Sequence, residues 1–82
     1  MTILPLHPDL RRYLQQRNLA RKFEKQRQLF EQNPFHSSLA TELLEPRRLR
    51  IWSFRVDRRY RAIFIFRNRE TVEIVDINNH YQ

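Results

Sequence analysis

Trp52-Ser53-Phe54-Arg55-Val56-Asp57-Arg58-Arg59-Tyr60-Arg61-Ala62-Ile63-Phe64-Ile65-Phe66 is the stretch on which the fold turns, because its period is two. Trp52, Phe54 and Val56 alternate with Ser53, Arg55 and Asp57; Tyr60, Ala62, Phe64 and Phe66 then alternate with Arg61, Ile63 and Ile65. Successive strand residues point to opposite faces, so this pattern predicts an antiparallel hairpin buried on its aromatic face. A three-residue loop at Asp57 to Arg59 sets Val56 opposite Tyr60, Arg55 opposite Arg61 and Trp52 opposite Phe64. A third strand, Thr71 to Asn79, follows the turn-like Arg67-Asn68-Arg69-Glu70. With Asn68-Arg69 as a two-residue turn, Ile65 pairs with Val72, Ile63 with Ile74 and Arg61 with Asp76. Arg55, Arg61, Asp76, Asn78 and His80 are then expected on the face opposite Trp52. A loop one residue different would reverse these faces.

Toward the N-terminus the period lengthens. Thr2 to Leu6 suits an edge strand, since Pro5 forbids a central one. Pro8 fits the first position of a helix behind His7, with Asp9 near its positive end and Leu10, Tyr13 and Leu14 along one stripe. Asn18 is expected to cap a second helix, with Leu19, Phe23 and Phe30 on one side and Leu29 at the shoulder, stopped by Asn33-Pro34. Phe35 to Pro46 reads as a loop anchored by Leu39, Leu43 and Leu44. The expected architecture is α+β in the order β-α-α-β-β-β, one domain over residues 1–82. A two-helix hairpin packs on one face of a small twisted antiparallel sheet, with a charged patch on the other.

Composition limits the chemistry. There is no Cys, which excludes disulfides, thiolate zinc sites and cysteine nucleophiles, and no Gly, which excludes phosphate-cradling glycine loops. His7 and His36 read as a helix-start and a loop residue, without partners at metal-ligand spacing. No apolar run approaches the roughly 18 residues of a membrane span, so a soluble, cytoplasmic protein is expected. The net charge is +7, and Arg47 through Arg69 carries nine arginines against the single acid Asp57. Such a segment attracts polyanions, and arginine's planar fork suits phosphate and base contacts.

Three motifs carry a resemblance. Glu31-Gln32-Asn33-Pro34-Phe35-His36-Ser37-Ser38-Leu39 resembles the Asn-Pro-x-His-x-Ser-Leu stretch of RelE-like toxins. Trp52 to Val56 with Arg59 to Phe64 is similar to their central signature, and His80-Tyr81 to the end of YoeB-type members. The chain thus resembles RelE/ParE-superfamily toxins of the RelE and YoeB kind over roughly residues 8 to 81. It departs from them where they often carry Gly just before the Trp, since Arg50 and Ile51 stand there.

The resemblance implies the toxin of a type II toxin-antitoxin system, neutralised by a cognate antitoxin and cutting mRNA in the A site of the 70S ribosome without metal or cofactor. The messenger's 2'-hydroxyl attacks the adjacent phosphate, leaving a 2',3'-cyclic phosphate and a 5'-hydroxyl. By position, Glu42 is the candidate base with Glu45 the alternative, Arg61 and Arg55 stabilise the transition state, His80 is the general acid, and Tyr81 stacks on a base or orients the phosphate. Arg47, Arg48, Arg50, Arg58, Arg59, Arg67 and Arg69 are expected on ribosomal RNA phosphates or on acids of the antitoxin. Plainer readings stand beside these: the glutamates as solvated loop acids, Arg61 as a partner of Asp76, His80 as an exposed end. Two other functions also remain open, a ParE-like gyrase inhibitor without nuclease activity and an inactive basic RNA-binding module.

Overall fold

Alternation, helical stripes and stop signals become seven regular elements among residues 1–79, which the computed structural model describes. In chain order they are β1 (Thr2–Ile3), α1 (Pro8–Gln16), α2 (Ala20–Gln32), β2 (Glu42–Leu43), β3 (Trp52–Arg55), β4 (Arg61–Phe66) and β5 (Thr71–Asn78). Single 3-10 turns occupy Ser37–Leu39 and Arg47–Leu49. The strands form one sheet in the order β1-β5-β4-β3-β2. Neighbours are antiparallel except β1, which runs parallel to β5. The α+β class and the helix hairpin on one sheet face are as expected. The sheet is mixed, however, and it gains β2 from the stretch read as a loop.

The first hairpin has the expected register: Trp52 faces Phe64, Phe54 faces Ala62 and Arg55 faces Arg61. The second differs twice. Its loop is one residue longer than a two-residue turn, closed by Arg67 N–H donating to the Thr71 carbonyl at 2.8 Å. Phe66 therefore faces Val72, and Phe64 faces Ile74. This turns Val72 and Ile74, both buried, into the core. Between Ile63 and Phe64 the register then shifts, their partners being Asp76 and Ile74, so Val75 is the extra residue of a bulge and is 46% exposed. A bulge reverses which side the following residues face. The two departures offset one another, and Asp76 and Asn78 return to the face of Arg55 and Arg61. All three expected pairs are corrected: Val72 faces Phe66 and not Ile65, Ile74 faces Phe64 and not Ile63, and Arg61 faces Asn78, with Asp76 opposite Ile63.

α1 begins as expected, with Pro8 first and the His7 Nδ1 accepting the Asp9 N–H at 3.0 Å. Asn18 does not cap α2. It adopts a left-handed conformation with φ 56° in the tight turn between the helices, a geometry Asn tolerates better than most residues, and Leu19 precedes α2 with no side-chain cap. From α2, Phe30 packs 5.1 Å from the rings of both Phe54 and Phe64, and Phe23 lies against Phe54. These aromatic rings form the centre of a core that Leu14, Leu19, Leu39, Val56 and Ile77 complete. On the outer side of β1, the Ile3 N–H donates to the Glu31 carboxylate at 3.1 Å, and Pro5 follows. An occupied N–H and a proline protect that edge from pairing with another strand.

Lacking glycine, the chain places Ala40 and Arg50 in the left-handed region at φ 45° and 55°, each just after a 3-10 turn. Such a conformation costs a non-glycine residue roughly 1–2 kcal/mol. Arg50 thus bends the chain two residues before Trp52.

Candidate active face

Parity fixes which side chains share the sheet face turned away from the helices. Ser53 and Arg55 on β3, Arg61 and Ile63 on β4, and Asp76 and Asn78 on β5 lie together. β2 adds Glu42, which is paired directly with Ser53. Directly opposed residues hold their Cβ atoms about 4.5–5.5 Å apart, so Glu42, Ser53, Arg55 and Arg61 are near neighbours. The sequence placed Glu42 in a loop. β2 makes it part of the sheet, half-buried beside the arginines.

Arg61 is 7% exposed although it sits on the open face. Its Nε donates to the Ser53 hydroxyl at 2.9 Å, and its Nη2 donates to the Ala40 carbonyl at 2.6 Å and the Ser53 carbonyl at 3.4 Å. The chain around Ala40 thus folds over the guanidinium, and Ser53, itself fully buried, holds it in place. A charge this withdrawn from water acts through a lower dielectric than a surface arginine does. Arg55, facing it across the hairpin, is exposed.

Gln26 braces this arrangement from the other side of the sheet. On α2 it stands three residues after Phe23 and four before Phe30, a polar residue on the buried stripe. Its Nε2 donates to the Ser38 carbonyl at 3.1 Å and to the Arg55 carbonyl at 2.8 Å. One amide therefore ties the loop that leads to Ala40 and the backbone of Arg55 to a single helix. The sequence reading gave no role to Gln26 or Ser53. A glutamine on an apolar stripe and a small hydroxyl between Trp52 and Phe54 were the available signals.

Glu42 and the alternative Glu45 separate clearly. Glu45 is largely exposed, precedes Pro46 and pairs with Arg47 at 3.5 Å, outside the sheet. Asp76 uses its carboxylate locally, accepting from the Ile77 N–H at 2.9 Å and the Asn78 amide at 2.8 Å. His80 and Tyr81 lie outside the described residues. Asn78, two positions before His80 in sequence, faces Arg61. His7 caps α1 and His36 caps the 3-10 turn at Ser37–Leu39, each accepting a backbone N–H two residues on. Among the described residues no group of three or more His, Asp or Glu side chains is placed to hold a metal.

The remaining arginines do not form one stripe. Arg58 and Arg59, both exposed, sit in the β3–β4 loop beside Arg17 and Lys22. Arg50 and Arg69 line a groove at the opposite end of the hairpin, where Arg67 pairs with Glu73 at 2.6 Å. Arg47 and Arg48 lie exposed in the turn just before Arg50. Asp57 organises the first loop, accepting the Arg59 and Tyr60 N–H groups at 2.8 Å each and pairing with Lys22. Burial alone would push its carboxyl up, but those two N–H groups and the Lys22 ammonium outweigh burial and hold it below its usual range.

The arrangement of a helix hairpin on one face of a five-stranded mixed sheet has counterparts among solved structures. Two solved structures share it across nearly the whole chain. A YoeB/ParE toxin from Agrobacterium tumefaciens superposes with a TM-score of 0.73 at 18% identity, covering 99% of this chain and all of that one. The heterotetrameric YoeB-YefM toxin-antitoxin complex from Staphylococcus aureus gives 0.69 at 19% identity, covering 98% and 94%. No protein-family model and no curated protein sequence matches the chain.

Proposed function

We propose that the chain is the toxin of a type II toxin-antitoxin pair and a ribosome-dependent, metal-independent endoribonuclease that cuts mRNA in the A site. The observation that carries this reading is the convergence of Glu42, Arg55 and Arg61 on one sheet face around Ser53. Glu42 takes the proton of the 2'-hydroxyl, whose oxygen attacks the adjacent phosphorus. Exposed Arg55 meets the phosphate, and Arg61, clamped by Ser53 and the Ala40 carbonyl, supplies a fixed positive charge as the pentavalent transition state gains negative charge. His80 gives a proton to the departing 5'-oxygen, and Tyr81 orients the strand. The products are a 2',3'-cyclic phosphate and a 5'-hydroxyl. The exposed arginines hold ribosomal RNA, and a small acidic antitoxin covers the same positive surface in the neutralised complex, as the YefM-bound neighbour suggests for the partner.

The Agrobacterium neighbour is a YoeB/ParE toxin, and the resemblance to ParE-type toxins implies DNA gyrase as the alternative target. On that second reading Glu42 and His80 are incidental. Programmed ribosomes separate the two. With wild-type protein, cuts are expected inside the A-site codon, reduced at least a hundredfold in Arg61→Ala and His80→Ala, with gyrase supercoiling unaffected. Intact message together with inhibited gyrase contradicts the nuclease reading.

A further inference from the structure

A second feature lies on the helix side of the sheet, where β3 begins and β4 turns into β5. Phe35 is 60% exposed and Phe66 37%, and both set their edges against half-buried Trp52, with ring centroids 5.9 and 5.8 Å away. The Arg50 guanidinium stands 5.8 Å from the Trp52 ring centre. An open cavity of about 370 Å³ runs here, lined by Arg50, Trp52, Phe66, Asn68 and Arg69. Contiguous exposed aromatic surface on a chain this small marks a place where something binds.

The chemistry of the lining selects the occupant. It holds two arginines and no acid. A second copy of a chain carrying +7 brings repulsion to such a surface. An extended peptide finds no free backbone edge, because β3 and β4 both have a neighbour on each flank. A flat apolar ring joined to a phosphate fits: bases stack on aromatic side chains with little regard to sequence, and the arginine fork takes the phosphate oxygens.

We infer that this groove holds one unpaired nucleotide of RNA, its base against Trp52 and Phe66 and its phosphate between Arg50 and Arg69. It is a second nucleic-acid contact, separate from the cutting face on the opposite side of the sheet. It rests on the RNA-directed reading above but not on catalysis.

Trp52 is the only tryptophan, so its fluorescence reports the groove directly. The probe is a short 2'-O-methyl oligoadenylate, which has no 2'-hydroxyl to attack and cannot be cut by that route. Saturable quenching is expected, with an abasic strand of equal charge giving far less. Phe66→Ala should weaken binding roughly ten- to a hundredfold. Phe35→Ala, at the most exposed of the three rings, should weaken it without touching the core, and Lys25→Ala, on the exposed side of α2 and away from both faces, should leave it unchanged. Equal quenching by the abasic strand, or unchanged affinity in both phenylalanine variants, would overturn the assignment. So would matching quenching by polyglutamate, which would give the groove to an acidic protein. Quenching by the oligoadenylate in a protein that cuts no message would leave the groove assignment standing and the nuclease reading rejected.

Discussion

Ser53 and Gln26 decide how firmly the two arginines of the open sheet face are held. Ser53→Ala removes the hydroxyl that accepts from the Arg61 Nε, and a bond to a charged group contributes roughly 1.5–3 kcal/mol. Thermal melts should show a loss of that size, with cleavage falling by at least tenfold while binding to ribosomes is kept. Gln26→Leu leaves two carbonyls without their donor, those of Ser38 and Arg55, at a cost of about 1–3 kcal/mol. Arg55→Ala is the opposite case. Its side chain is exposed, so the melt should not move while cleavage drops. Equal activity in all three variants would reject the face as the site. Arg61's place beside Arg55 was legible from alternation together with the three-residue loop at Asp57 to Arg59. Its burial was not, because the carbonyl that covers it belongs to Ala40, twenty-one positions earlier in the chain and with no pairing signal.

Strand β2 and the bulge at Val75 mark where pattern reading stops at the scale of elements. Two residues are too few to display a period, so Glu42 and Leu43 carried no strand signal, and their pairing with Ser53 and Trp52 emerged only in three dimensions. The β4–β5 loop is one residue longer than read, and the bulge restored the faces of Asp76 and Asn78, so that half of the parity argument reached its result through two offsetting irregularities. The β3–β4 hairpin was fully legible, since Asp57 closes its loop by accepting two backbone N–H groups. That carboxyl sits below its usual value of about 3.9. A carboxyl depressed in the folded state adds stability that is fully present above its unfolded value and is lost as pH falls through its folded value. Asp57→Asn keeps an acceptor for the two N–H groups but loses the charge facing Lys22. Wild type should exceed this variant by about 1 kcal/mol at pH 7, with the gap closing below about pH 4 in melts across that range. A gap constant from pH 7 to pH 3 would place the effect elsewhere.

Over the whole molecule, about 32 × 25 × 25 Å, the arginines that the sequence presented as one basic segment divide between opposite ends of the hairpins. Arg58 and Arg59 stand at one end, while Arg50 and Arg69 stand at the other. Folding back an alternating strand pair separates its two loops, which a linear charge count does not convey. Ribosome binding should therefore weaken steeply with salt. Replacing Arg58 and Arg59 together by Ala should lower the slope of log affinity against log salt by about 1.5, uniformly across messages. A change in which codons are cut, with the slope intact, would instead assign these residues to message recognition.

The central claim is that this open sheet face performs 2'-hydroxyl attack on a message held in the ribosomal A site. The most direct measurement is the chemistry of the cut ends on a defined message in programmed ribosomes, with wild type and Arg61→Ala compared. The account predicts a 2',3'-cyclic phosphate upstream and a 5'-hydroxyl downstream, within the A-site codon, absent for Arg61→Ala and blocked when the attacking ribose carries a 2'-O-methyl group. A 5'-phosphate at the cut, cleavage that survives the 2'-O-methyl block, or no cleavage at all by the folded wild-type protein would contradict it.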